Sequence, residues 1–288
     1  MPRIIPVDDP ADPRVEPYCN IRERDLVGRA GLFVAEGRVV IEKLVASKVH
    51  QPQSLLVAAH RLDSLVDILA QLDEGVPVFA ASQQVMDAVA GFPMHRGLLA
   101  IGRRIDPPAA EQLLASLAER ATILVLAGIA NHDNMGGIFR NAAAFGVGAV
   151  LLDAGCCDPL YRKAIRVSVG AALLVPLARI PRDTDLLDLL DRHRFRPLAL
   201  SPAGRVPLSK LAGADRNAVL LGAEGPGLPE SLLSRTLPVS IPMANTFDSL
   251  NVATASGIVL HHLTAVHADP GGVMARQHQG TLEQQDRS

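Results

Sequence analysis

Tryptophan is absent from this 288-residue sequence, and aromatic residues of all kinds make up only 3% of it. A broad surface that stacks exposed bases on rings is hard to build from so few. Cysteine is scarce as well. Cys19, Cys156 and Cys157 are odd in number and show no C-x-x-C spacing. That argues against a disulfide framework and a four-cysteine zinc site, and it fits a reducing, cytoplasmic compartment. Charge of one sign is not in excess either: 28 Lys and Arg against 30 Asp and Glu leave a formal net charge of −2. No global basic field draws nucleic acid, so any such binding must rest on local patches. No apolar run reaches the roughly 18 residues of a membrane span. The opening MPRIIPVDDPADPR is rich in Pro and Asp and lacks the apolar segment of a signal peptide. G-x-G-x-x-G occurs nowhere, no Gly-Lys-Ser/Thr closes a phosphate loop, and no histidine stands in H-E-x-x-H spacing. A dinucleotide loop, a P-loop and a metal cluster are therefore not expected.

Apolar residues make up 48% of the chain, enough for a sizeable core. Residues 1–20 read as a flexible arm. Residues 21–104 read as a small α/β domain: GLFVAEG and SLLVAA are strands, VVIEKLVAS and LDSLVDILAQL helices, VPVFAA and RGLLAIGRR further strands. Asp106-Pro107-Pro108 breaks the pattern, so 105–120 is a linker followed by a helix over AEQLLASLAER. In 121–268 the apolar runs lengthen. TILVLAG, GAVLLD, ALLVPLA, FRPLALS, NAVLLGAE and LPVSIPM read as strands, mostly separated by helices, and VATASGIVLHHLTAVH is a final helix. Continuous apolar strands alternating with helices predict a mostly parallel sheet covered on both faces. The tail 269–288, rich in Gly and Gln, reads as mobile.

Ligands of such a sheet bind beyond the carboxyl ends of its strands, so the chemistry should lie in the segments that follow them. After the first strand comes NHDNMGGIFRNAAAFG. Asn134 is a candidate helix cap, and Gly136-Gly137 costs a helix roughly 1 kcal/mol per glycine, which suggests a need for close approach. Arg140 is the only charge from Asn134 to Asp153. After NAVLLGAE, the glycines Gly222, Gly225 and Gly227 surround Glu224. After LPVSIPM, Ser249 and Asn251 flank Leu250 at the entrance of the final helix, with Asp248 or Ser249 as its cap. Arg162, Lys163 and Arg166 share one helical face and form a candidate phosphate patch. Taken singly, each segment reads equally as a capped helix, a Gly-rich turn or a solvated face. Together they place three polar, glycine-bearing loops after strands of one sheet, with Ile241, Met243 and Leu250 able to hold a flat apolar ring.

At these residues the sequence resembles the SpoU/TrmH family of RNA ribose methyltransferases. NMGGIFRNAAAFG, GAEGPGL and IPMANTFDSLNVATA are similar to that family's three motifs, in order, and FVAEGRVVIEKL and HRGLLA resemble its RNA-binding domain. The chain departs from the usual pattern at Asn131-His132-Asp133, where Asp-Pro is common, at Gly137 and at Arg96. The resemblance implies a trefoil-knotted methyltransferase domain, a homodimer with the site near the subunit interface, and S-adenosyl-L-methionine as cofactor, held by Gly222, Ile241 and Leu250, to which the apolar loop residues add Met243. It implies methylation of a ribose 2′-hydroxyl in tRNA or rRNA, with Arg140, Asn134, Glu224, Ser249 and Asn251 as catalytic residues; the candidate phosphate patch of Arg162, Lys163 and Arg166, read from spacing, would then meet the RNA. Two other readings compete: a non-catalytic RNA-binding protein on the same fold, which would not need the polar residues of all three motifs, and a nucleotide-dependent dehydrogenase, which would need the missing Gly-rich loop.

Overall fold

A computed structural model describes residues 2–19, 31–94, 96–244 and 249–267. The tail from 269 and Asp248 lie outside them.

The first sheet has strands β1 (Ile4–Val7), β2 (Leu32–Glu36), β3 (Gln51–Ala58), β4 (Val78–Ala81) and β5 (Leu98–Arg103), in the order β1-β4-β3-β5-β2. β1, β4 and β3 are parallel, whereas β5 runs antiparallel to both β3 and β2. Helices α1 (Arg38–Val45), α2 (Val66–Leu69) and α3 (Gln83–Ala90) accompany it. The expected flexible arm is corrected here: Ile4–Val7 is an edge strand, and Pro13–Tyr18 is a 3-10 helix that buries Val15 and Tyr18 completely. Proline misleads in this stretch because an edge strand tolerates it, and Pro6 sits in one.

After α4 (Ala110–Ala115) comes the second sheet, with β6 (Ala121–Ala127), β7 (Ala149–Leu152), β8 (Leu177–Arg179), β9 (Arg196–Leu200), β10 (Val206–Pro207), β11 (Arg216–Gly222) and β12 (Leu237–Ser240). Its order is β10-β12-β9-β11-β6-β7-β8, and every pairing is parallel, as the continuous apolar strands predicted. Helices α5 (His132–Ala144), α6 (Arg162–Val167), α7 (Leu186–Arg192), α8 (Glu230–Leu233) and α9 (Val252–His267) connect and cover it. Apolar layers lie on both faces. Leu124, Phe139 and Val259 belong to one, Ile123, Leu190 and Leu220 to the other. ALLVPLA is only half a strand: Ala171–Leu173 is a 3-10 turn following Gly170 at φ 78°, and β8 starts after Pro176.

The two sheets share a seam. Leu160, Ile165 and Leu173 pack into one cluster with Phe33, Ile41, Leu44 and Leu55. Arg162 pairs with Glu36 at 2.5 Å, both side chains largely buried, and its guanidinium lies 5.3 Å over the Phe92 ring. Lys43 Nζ donates to the Val169 carbonyl at 2.6 Å, Ser47 Oγ to the Leu173 carbonyl at 3.0 Å, and Arg104 pairs with Asp158 at 2.5 Å. Among the described residues, no helix is long and apolar enough to cross a membrane.

Candidate functional site

A cavity of about 490 Å³ opens beyond the carboxyl ends of β9, β11 and β12. That size lies within the usual range for small-molecule sites. Gly222, Ile241, Met243 and Leu250, the expected cofactor residues, all line it, and so do Glu224, Ser249 and Asn251. Leu200, Ser201 and Pro202 form a wall that the motif reading missed. Leu200 ends β9 and Ser201-Pro202 directly follow it, so the rule of examining what comes after each strand would have found them.

The glycines around Glu224 have separate reasons. A Cβ on Gly222 would collide with the backbone of Gly227 and Leu228, while Gly225 and Gly227 adopt φ 88° and 70°. The result is a tight turn, closed by the Gly227 N–H donating to the Ala223 carbonyl at 3.0 Å, with Glu224 near its tip.

Three polar residues from distant parts of the chain meet there. Asn134 Nδ2 donates to Glu224 Oε1 at 2.8 Å. Asn251 Nδ2 donates to Asn134 Oδ1 at 2.8 Å and to Glu224 Oε1 at 3.3 Å. Both asparagines are aimed by helix caps, in a way the sequence reading had assigned differently. Asn131, not Asn134, caps α5: its Oδ1 accepts from the N–H groups of Asp133 and Asn134 at 2.8 and 3.3 Å. Asn134 is thereby free to turn its buried side chain to Glu224. Asn251 caps α9 in place of Ser249, its Oδ1 accepting from Ala253 and Thr254 at 3.0 and 3.2 Å, which leaves its amide nitrogen for the cluster.

The glycine pair of α5 does bring surfaces close, but they are helices. A Cβ on Gly136 would lie 2.7 Å from Val167 Cβ and 2.8 Å from the Ala164 carbonyl, on α6. One on Gly137 would lie 2.7 Å from Ala253 Cβ, on α9. Asn141 fastens the same junction by donating to the Ala253 carbonyl at 2.7 Å and to Ser256 Oγ at 3.0 Å.

Arg140 is not part of this cluster. It lies six residues beyond Asn134, about 240° further around the helix. Its side chain is exposed, does not line the cavity, and has no ion-pair or hydrogen-bond partner among the described residues. The expected basic patch divides. Arg162 is drawn into the seam with Glu36, Lys163 pairs with Asp133 at 2.5 Å, and Arg166 stays exposed. Arg166, Lys163 and Arg140 thus remain on the open side of α5 and α6.

The profile of the SpoU rRNA Methylase family matches residues 121–261. An uncharacterized tRNA/rRNA methyltransferase of Mycobacterium tuberculosis (strain CDC 1551 / Oshkosh) is 41% identical over 276 residues, covering 92% of this chain and 94% of that protein. Among solved structures, an AdoMet-bound rRNA methyltransferase from Sinorhizobium meliloti superposes with a TM-score of 0.76 at 20% identity, over 92% of this chain and 99% of that one. An RNA 2′-O ribose methyltransferase superposes with a TM-score of 0.70 at 23% identity, over 91% and 99%. These two likenesses establish a shared fold.

Proposed function

Because the chain belongs to the SpoU rRNA methylase family, we propose that this site makes it an S-adenosylmethionine-dependent RNA methyltransferase acting on a ribose 2′-hydroxyl of tRNA or rRNA. The observation that carries the reading is the Asn134–Glu224–Asn251 cluster on the rim of an apolar cavity. The cavity fits the cofactor. Ile241, Met243 and Leu250 offer apolar surface to a flat ring, and Gly222, lacking a side chain, leaves backbone groups within reach of the ring edge. S-adenosylmethionine supplies a methyl group on a sulfonium that is already a good leaving group.

The protein's task is alignment and charge. Glu224, held by two amide donors, and Ser249 shape the rim where the ribose is seated. Arg140 orients the target hydroxyl and its neighbouring phosphate and stabilises negative charge developing on oxygen. A guanidinium donates hydrogen bonds and does not take the hydroxyl proton, so as the O–CH3 bond forms and the CH3–S bond breaks that proton leaves to solvent water. Arg140 lies off its own chain's cavity, which supports a homodimer in which it reaches the cavity mouth of a second copy. Exposed Ile258, in the second turn of α9, is apolar surface available to that contact. The deep trefoil knot implied by the family resemblance belongs to the same reading. The substrate class favours the cytoplasm.

The test is incubation with purified tRNA and unmodified rRNA and labelled S-adenosylmethionine, followed by nucleotide mapping. A methyl group on ribose is expected. Label on a base, or no transfer by protein that binds S-adenosylhomocysteine, would overturn the reading. S-adenosylhomocysteine at 100 times its dissociation constant should stabilise the fold by about 2.7 kcal/mol, and NAD should not.

A further inference from the structure

In a chain with two tyrosines and no tryptophan, the position of each tyrosine is informative. Tyr18 is fully buried, its hydroxyl 2.7 Å from Ser54 Oγ. Tyr161 is half-buried and sits at the N-terminus of α6. Its ring lies against the imidazole of His132, centroids 4.2 Å apart and planes inclined by 32°. His132 is itself only half-buried and opens α5, two residues before Asn134. The two rings therefore stack at the protein surface, beside the helix turn that carries the site. Three cations lie on the same two helices: Lys163, fixed by Asp133 at 2.5 Å, and the exposed Arg140 and Arg166.

We propose that the His132–Tyr161 pair is a stacking platform for a base of the RNA substrate, so that the target lies in a single-stranded loop or bulge. This deepens the methyltransferase reading and rests on it. A base inside a duplex has no free face, whereas an unstacked one can lie on an aromatic side chain while its phosphates meet nearby cations. Lys163 and Arg166 stand one helical turn apart, as a backbone passing the platform requires. Burial and the Lys163 charge lower the pKa of His132, so the imidazole stacks as a neutral ring near pH 7.

The test uses full-length protein saturated with S-adenosylhomocysteine and a 2-aminopurine-containing oligouridylate, alone or annealed to its complement. Wild type should bind the single strand more tightly than the duplex and quench its fluorescence. Tyr161→Ala should weaken single-strand binding about tenfold or more and abolish the quench. Tyr161→Phe should retain both, because stacking needs no hydroxyl, and His132→Ala should fall between them. Equal S-adenosylhomocysteine-induced thermal shifts would show that the variants are folded. Unchanged binding by Tyr161→Ala, a Phe variant as impaired as the Ala variant, or duplex bound as tightly as single strand would each overturn the platform. The underlying reading fails separately, if wild type neither responds to S-adenosylhomocysteine nor methylates RNA.

Discussion

Asn134 and Arg140 sit six residues apart on α5, in opposite surroundings. Asn134 is buried, with both ends of its amide bonded to residues more than 85 positions away in sequence. Arg140 is exposed and without a partner among the described residues. The first turn of the helix is built for shape: a cap fixes its start, a cluster fixes its side chain, and the cavity beside it is already formed. The third turn carries Arg140 out into solvent. A single copy thus has a formed pocket and, on the helix beside it, a cation with no partner among the described residues.

This contrast can be tested by separating activity from stability. The largest expected effect is on rate. Arg140→Ala should lower methyl transfer on the order of 10²–10³-fold, while S-adenosylhomocysteine binding measured by calorimetry stays unchanged and stability moves by no more than about 0.5 kcal/mol. Near-wild-type turnover would dismiss its proposed role. Asn134→Ala should behave in the opposite way, losing about 1–3 kcal/mol of stability because its bonded partners are left short, with weaker S-adenosylhomocysteine binding. If its denaturant midpoint does not move, the cluster does not preorganise the site. Gly136→Ala weighs two terms against each other. Helix propensity favours alanine by about 1 kcal/mol, but the added Cβ would press on Val167 and on the Ala164 carbonyl, at a cost of about 1–3 kcal/mol. A net loss in melting temperature is expected, and a gain would mean that α6 can shift away. Asn131→Ala removes a cap only, so a loss of about 1 kcal/mol should appear in chemical denaturation.

The last effect, absent at neutral pH, concerns the first sheet. His50 is buried edge-on against Phe33, and desolvation, with the Arg104 charge, brings its pKa down to about 4. In the unfolded chain the imidazole takes a proton near its ordinary value of 6.5, so between those values the unfolded state binds more protons. Stability should therefore decline as pH falls from 6.5 towards 4. His50→Gln should flatten that decline in pH-dependent denaturation curves, and an unaltered slope would assign it to other groups.

Much of the fold was legible because its signals are local. The long apolar segments became β6, β7, β9, β11 and β12, and VATASGIVLHHLTAVH became α9 in full. The misses were also local. Pro6 hid an edge strand, and the turn after Gly170 shortened β8. The site was legible as residues but not as geometry. Glu224, Asn134 and Asn251 could be picked out by motif, yet nothing in the sequence says that one amide caps a helix while another is released by a cap three residues earlier. Periodicity alone left open whether the Gly-Gly pair serves ligand or helix. Arg162 looked like its neighbour Lys163, and only the seam distinguishes them, because its partner Glu36 is 126 positions away.

That seam has a consequence for inheritance. Glu36, Lys43 and Ser47 on one side must match Arg162 and the carbonyls of Val169 and Leu173 on the other. The front sheet is therefore not a cassette that can be exchanged freely for a relative's. A chimera that brings in a new sheet without a carboxylate at position 36 would strand a largely buried guanidinium. A replacement sheet fits only with paired changes across the seam, whereas the open faces stand outside that constraint.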